Sequence, residues 1–290
     1  MKLNMFHCLP LVCLQLPMCI LFVYNGSYDA DSDYSLIVAT NRDEFYDRPS
    51  AELAPWKDNP NIIGGLDLEG GCEGGTWLAV SPLRKKMGVL LNLPNTPKKN
   101  AKSRGKIVAE FVKSKNEAAS YVQEMKSYFE ECNNFIFVAM DFGNTTPVIN
   151  SFTNVTNSIT THTDPCLGFG NSLPDMPLKK VEAGLTKMHD ICKGLNKISM
   201  KSKLLEELTA LLKCNERHLP DAQLQERRPN LYEELSSIFV CVPEERYGTR
   251  AQTILLLTKT GHLEVHEISM KSPIDKIEPK WEKHKYQFDL

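Results

Sequence analysis

The sequence predicts an α+β fold, within the broad α/β class, in which two mainly antiparallel sheets pack between helices. Three observations lead there. Strand-length apolar runs follow one another in pairs before any helical periodicity begins, which is unlike the strict βαβ alternation of a doubly wound sheet. Further segments carry apolar residues at helical spacing with a polar face opposite. No repeat period or low-complexity linker divides the 290 residues, so one domain accounts for the chain.

The elements follow in order. CILFVY at 19–24 and YSLIVAT at 34–40 flank a connector rich in Gly, Ser, Asn and Asp, which predicts a hairpin. From its second strand hangs an unbroken polar block, Asn41, Arg42, Asp43 and Glu44, inside ATNRDEFYDRP. The simpler reading of that block is a strand end meeting solvent; the other is the rim of a site. Residues 49–60, punctuated by Pro49, Pro55 and Pro60, are predicted as a loop. Six glycines in the twelve residues 64–75 precede a strand from Thr76 to Ser81, and another runs from Met87 to Asn92.

Ile107, Val108, Phe111 and Val112 step at helical spacing, and a second helix is expected from Asn116, read as its N-cap, to about Glu130. FIFVAMDF at 135–142 reads as a buried strand, with 147–152 as its partner and 158–162 as a further short strand. Val181, Leu185, Met188, Cys192 and Leu195 form one helical stripe, and Leu204, Leu205, Leu208, Leu211 and Leu212 another. Residues 215–234, with Pro220 and Pro229, are predicted as a long surface loop. Strands at 239–242, 252–258 and 262–269 close the chain, the last two joined by a Lys-Thr-Gly turn.

Composition narrows the function classes. Thirty-four basic and 36 acidic residues balance to a net charge of −2 with no basic stripe, which argues against a nucleic-acid partner. Nine cysteines are scattered without a C-x-x-C pair, so neither a zinc ribbon nor covalent haem attachment is encoded, and a reducing compartment is expected. No H-E-x-x-H and no glycine-rich phosphate loop appears, and no metal ligand set is expected. The apolar stretch within the first 23 residues is too short to span a bilayer comfortably and is broken by Pro10, Gln15 and Pro17. A secretory leader is therefore the lesser alternative, and the sequons at Asn25, Asn144 and Asn154 matter only with it.

Candidate chemistry centres on Cys19, which follows Met18. A chain begun at Met18 and trimmed of that methionine would start with a free cysteine. Its thiol is a nucleophile, and its α-amine, with a reference pKa of about 7.7–8.0, a built-in base. If residues 1–17 stay attached, that amine is lost to a peptide bond. The simpler reading of Cys19 is one more buried thiol in a strand. Arg42 beside such a cysteine would lower its pKa and grip a carboxylate, while Asp43 would hold an ammonium or guanidinium in place and Glu44 completes the block. Gly74 and Gly75, leading into Thr76 and Trp77, either bring backbone amides close to a ligand or form a flexible hairpin loop. Asn92 at a strand end and Asn171 in GFGNS offer amides to an oxyanion, or serve as turn and cap residues. Arg250, ahead of a buried strand, either binds an anion or covers apolar surface.

Taken together, ATNRDEFYDRPS, GGLDLEGGCEGGTWLAVS, GFGNS and YGTR resemble the NRDE family, from Met18 to the C-terminus. The resemblance implies residues 18–290 as a single NRDE domain and residues 1–17 as an extension, read as a misassigned start or a targeting segment. It implies an αββα four-layer sandwich similar to N-terminal-nucleophile hydrolases, with Met-Cys as the usual start of the chain. Cysteine amidases of that fold use a terminal Cys, an Arg, an Asp, two Asn and a later Arg, an order matched by Cys19, Arg42, Asp43, Asn92, Asn171 and Arg250. In those enzymes the Arg and Asp are separated, whereas here they are adjacent.

The resemblance further implies Golgi organisation, protein secretion and haem mobilisation between compartments, in a cytoplasmic protein with mitochondrial or Golgi association. No cofactor is required. The implied ligand is small, hydrophobic or anionic, with haem as the transported case, held by Asn41, Arg42, Asp43, Glu44, Gly74, Gly75, Thr76, Trp77 and Arg250. The alternative is a cysteine amidohydrolase acting on a non-peptide amide, with Cys19 as nucleophile and Asn92 or Asn171 as oxyanion donor.

Overall fold

Apolar side chains on both faces of the central strands require each sheet to be covered twice, and the architecture follows from that requirement. The structure, a computed structural model, describes residues 18–290; the expected extension and leader at 1–17 lie outside the described residues. In chain order the strands and helices are β1 (Ile20–Tyr24), β2 (Tyr34–Phe45), β3 (Ser50–Trp56), β4 (Asn59–Asp67), β5 (Leu78–Ser81), β6 (Lys86–Asn92), α1 (Gly105–Lys113) and α2 (Ala118–Glu130). They continue with β7 (Phe135–Asp141), β8 (Val148–Thr153), β9 (Ser158–His162), β10 (Cys166–Phe169), α3 (Lys179–Gly194), α4 (Lys201–Leu212), α5 (Ala222–Arg227) and α6 (Tyr232–Leu235). Four strands end the chain, β11 (Cys241–Val242), β12 (Tyr247–Thr258), β13 (His262–Met270) and β14 (Trp281–Asp289).

The first sheet has the order β10-β1-β2-β12-β13-β14 with β11 added on β12; the second runs β3-β4-β5-β6-β7-β8-β9. Neighbouring strands in both are antiparallel. Strand alternation sorts β1 between two cores. Leu21 and Val23 meet Val80, Met87, Val89, Ile136 and Val138 of the second sheet. Ile20, Phe22 and Tyr24 point the other way, onto Val181, Met188, Leu204 and Leu208 of α3 and α4. The outer face of the second sheet, through Ala79, Phe135 and Phe137, packs on Ile107, Val108, Phe111 and Phe129 of α1 and α2. Each fully buried side chain of this kind contributes about 1.5–3 kcal/mol by leaving water. The α+β class with two antiparallel sheets is as expected, and helices cover both outer faces. Among the described residues no helix is long and apolar enough to cross a membrane.

Several expectations are corrected. The predicted loop at 49–60 is β3 and the start of β4, because β3 is an edge strand, where a missing proline donor costs no ladder bond. The strand holding the polar block does not end at residue 40 but continues to Phe45, paired throughout with β12. Asn116 is not the cap of α2: Glu117 is, without a side-chain cap bond. The predicted 215–234 loop contains α5, capped by Asp221 accepting from the Leu224 amide, and the short α6. Strand β12 begins at Tyr247, so Arg250 lies within it rather than before it. Two further strands carry no strong sequence signal. β10 is four residues long, and β14 (WEKHKYQFD) is an edge strand whose Tyr286 and Phe288 reach the inter-sheet core while Lys283 and Lys285 guard the edge.

Candidate functional site

Cys19 precedes β1 by one residue and faces the polar end of β2. Its thiol sulfur accepts from the Asp43 amide at 3.4 Å and lies 3.7 Å from the Asp43 carbonyl oxygen. These residues open onto a cleft of about 420 Å³, which Arg42, Glu44, Thr76, Trp77 and Asn92 also line. That volume falls in the range of about 300–1,000 Å³ usual for small-ligand sites.

The block is buried because its neighbours satisfy it. Asp43 is 4% exposed. One of its carboxylate oxygens accepts from the Thr249 hydroxyl at 2.7 Å; the other, Oδ2, is buried without a hydrogen bond. Burial pushes the Asp43 carboxyl up to about 7, against the opposing pull of the Lys180 ammonium. Arg42 stacks on the Trp77 ring, 3.8 Å from guanidinium carbon to ring centre, and Glu44 lies 3.8 Å from its terminal nitrogen. Such stacking contributes about 0.5–2 kcal/mol when shielded from water.

Trp77 can lie there because Gly65 leaves room: a Cβ on Gly65 would come within 2.3 Å of the indole ring. Gly65→Ala is therefore expected to cost about 1–3 kcal/mol and to unseat the Arg42 stack. Denaturant unfolding, read with tryptophan emission, checks both; an unchanged midpoint would remove Gly65 from this account.

The cleft gathers Cys19, Arg42, Asp43, Glu44, Thr76, Trp77 and Asn92, and leaves five expected residues outside its lining. Asn41 is buried, with its amide donating to the Leu212 and Ile238 carbonyls at 2.8 and 3.0 Å, so it ties β2 to the helical layer. Gly75 donates its amide to the Cys72 carbonyl and packs backbone to backbone on Gly105, the first residue of α1. Gly74 takes a positive φ of 75°, which glycine allows at no steric cost. Asn171 is fully buried; its amide donates to the Asn92 backbone carbonyl at 2.6 Å, and its own side-chain oxygen has no hydrogen bond.

Arg250 sits at a register shift between β2 and β12, where Asp43 pairs with Thr249 and Arg42 with Ala251. The bulge turns its guanidinium onto the Phe45 and Arg48 carbonyls, at 2.9 and 2.6 Å. It is 4% exposed and clamps the end of the block, and burial lowers its pKa to about 10.

Arg48, Lys102, Arg104 and Lys180, cations in or beside the cleft, escaped notice in the sequence. Arg48 lines it and forms a two-point pair with Asp67, at 3.2 and 2.7 Å. Arg104 also lines it, donates to the Asn134 carbonyl at 2.9 Å, and is lowered by burial to about 10. Lys180 is fully buried behind Cys19, donating to the carbonyls of Met18 at 3.1 Å and Ser237 at 3.2 Å. Desolvation lowers its pKa, and the Asp43 charge opposes the change. Lys180, Gly184 and Met188 recur every fourth residue, so a lysine on an apolar helical stripe was the visible signal.

Burial and the Asp43 charge together push the Cys19 thiol up to about 12, more than Arg42 can offset. With Met18 attached, the Cys19 nitrogen is a peptide nitrogen and supplies no base. In this form the cleft offers a protonated thiol, several guanidinium groups and an aromatic wall.

The family described as Transport and Golgi organisation 2 matches residues 18–272. Transport and Golgi organization protein 2 of Drosophila melanogaster is 34% identical over 271 residues, covering 87% of this chain and 92% of that protein. The mouse and human homologs, named Transport and Golgi organization 2 homolog and Transport and Golgi organization protein 2 homolog, are each 32% identical, covering 94% of this chain and 99% of theirs. With its NRDE block in place and matches of this extent, the chain belongs to the Transport and Golgi organisation 2 family.

Proposed function

We propose that this protein is a trafficking carrier that holds a flat, anionic, largely apolar ligand in the Cys19 cleft, with haem as the transported case. The observation that carries this reading is that arginines and apolar side chains line one cleft, in company with the carboxylates of Asp43, Glu44, Asp67 and Glu69. Arg42, Arg48 and Arg104 line the same cleft as Trp77 and Leu90. Arginine suits carboxylates such as haem propionates, and the apolar wall suits a macrocycle. Cys19 and Cys72 are the two thiols lining the cleft; a cysteine ligates haem iron as the thiolate, which burial opposes at Cys19. A thiol held protonated near neutral pH is a weak nucleophile, and the amidohydrolase reading needs a free Cys19 amine. The cellular role proposed is movement of such a ligand between cytoplasm, mitochondrion and Golgi in support of secretion; the name of the family supports transport and the Golgi.

Haem titration of the purified protein tests this directly. A saturable Soret shift at micromolar haem is expected. Arg42→Ala should weaken it about tenfold, or about 1.4 kcal/mol, by removing one charge-assisted contact. No shift, or a variant that titrates like the parent, would sink the haem assignment.

A further inference from the structure

Beyond α4 an irregular segment, Cys214, Asn215, Glu216, Arg217 and His218, leads toward α5. Cys214, Glu216 and His218 bring their donor atoms together, while Arg217 faces α6. Arg217 pairs there with Glu233 at 2.5 Å and Glu234 at 3.2 Å. The backbone is pinned at both ends, by the Phe239 amide on the Cys214 carbonyl at 2.8 Å and the His218 amide on the Ser236 carbonyl at 3.3 Å. The Cys214 sulfur, a Glu216 carboxylate oxygen and a His218 ring nitrogen all lie within 4.8 Å of one another.

We propose that Cys214, Glu216 and His218 form an open binding site for a divalent metal of the zinc class, with a solvent molecule completing the coordination. Two independent observations point to a cation there. First, the His218 Nε2 atom is buried and has no hydrogen-bond partner. Second, a cation already occupies the position: the Lys187 ammonium, from α3, lies 2.8 Å from the Glu216 carboxylate and 3.8 Å from the Cys214 sulfur.

The chemistry fits a dication better than an ammonium. A thiolate, a carboxylate and a neutral imidazole sum to two negative charges, and the donor set of one S, one N and one O is characteristic of zinc. Tetrahedral bonds of about 2.0–2.3 Å place ligand atoms roughly 3.3–3.8 Å apart. Drawing the donors into that range is within reach of Glu216, which is exposed, once Lys187 swings into solvent. Metal and Lys187 therefore compete for one place.

Cobalt(II) titration of the full chain tests the site, because a thiolate ligand gives a charge-transfer band that carboxylate and imidazole do not. This also separates the site from the other cluster of ligand-type residues, Glu52, Glu282 and His284, which holds no cysteine. A saturable band at one equivalent is expected, abolished in Cys214→Ser and displaced by zinc. Glu216→Gln, at an exposed position that does not threaten folding, should weaken binding. Lys187→Gln should tighten it about tenfold, since a competing charge is gone. Absence of the band, its survival in Cys214→Ser, or unchanged affinity in Lys187→Gln would each overturn the assignment.

Discussion

Replacing Lys180 with alanine is expected to lower the free energy of unfolding by about 3–5 kcal/mol, the usual consequence of removing one member of a buried charged cluster. Lys180 is fully buried, and its ammonium holds the carbonyls of Met18 and Ser237. Alanine leaves both carbonyls short of a donor, opens a cavity at the start of α3, and removes the cation that opposes the rise in the Asp43 pKa. Lys180→Met retains most of the volume and should cost less. Joining it with Asp43→Asn should recover part of the loss, because the carboxyl no longer lacks its counter-charge. Urea unfolding of the three variants at pH 7 measures this. A loss under about 1 kcal/mol for Lys180→Ala would show that Lys180 does not hold Met18 and Cys19 in place.

Asp43→Asn is expected to change the pH dependence of stability rather than lower it uniformly. Asparagine keeps an oxygen for the Thr249 hydroxyl. In the folded protein the Asp43 carboxyl is raised from 3.8 to about 7 by burial. Between those values the folded state binds more protons at this site than the unfolded state, so the contribution of Asp43 falls as pH rises and levels off above about 7. The stability of Asp43→Asn relative to the parent should therefore climb from about pH 4 to about pH 7 and then stay flat. The ceiling is about 4 kcal/mol, from roughly three pH units at about 1.4 kcal/mol each. Unfolding curves for both proteins at pH 4.5, 6 and 8, values chosen to span about that window, check the slope. A difference independent of pH would mean that Asp43 is ionised throughout.

The strands and helices that periodicity foretold are those whose burial is set by their own residue pattern. β1, β7, α1 and α4 carry apolar residues that need a core wherever they lie, and each is found close to its expected place. β3 and β14 were not foreseen, because edge strands need little apolar content and tolerate proline or lysine. The candidate site divides in the same way. Arg42, Asp43 and Glu44 announced themselves as a charge block directly after an apolar run, whereas the glycine-rich stretch left a close approach and a flexible loop both open. For Lys180 the local signal was its place on the Gly184 and Met188 stripe, but the carbonyls of Met18 and Ser237 that receive its ammonium come from distant parts of the chain.

Read alone, the chain was sufficient for its family, its α+β class and the region of its cleft, because residue order and 2.0- or 3.6-residue periodicity are local properties. Its folding decided which polar residues line the cleft and which serve the frame. Asn41 is buried because α4 and the 236–240 segment bring two carbonyls to it, and Asp43 because Thr249, 206 residues away along the chain, donates to it. Arg250 clamps the block rather than lining the cleft because a one-residue bulge turns it. Burying a polar group is tolerable only when a partner is present to replace water, and these partners arrive from distant parts of the chain.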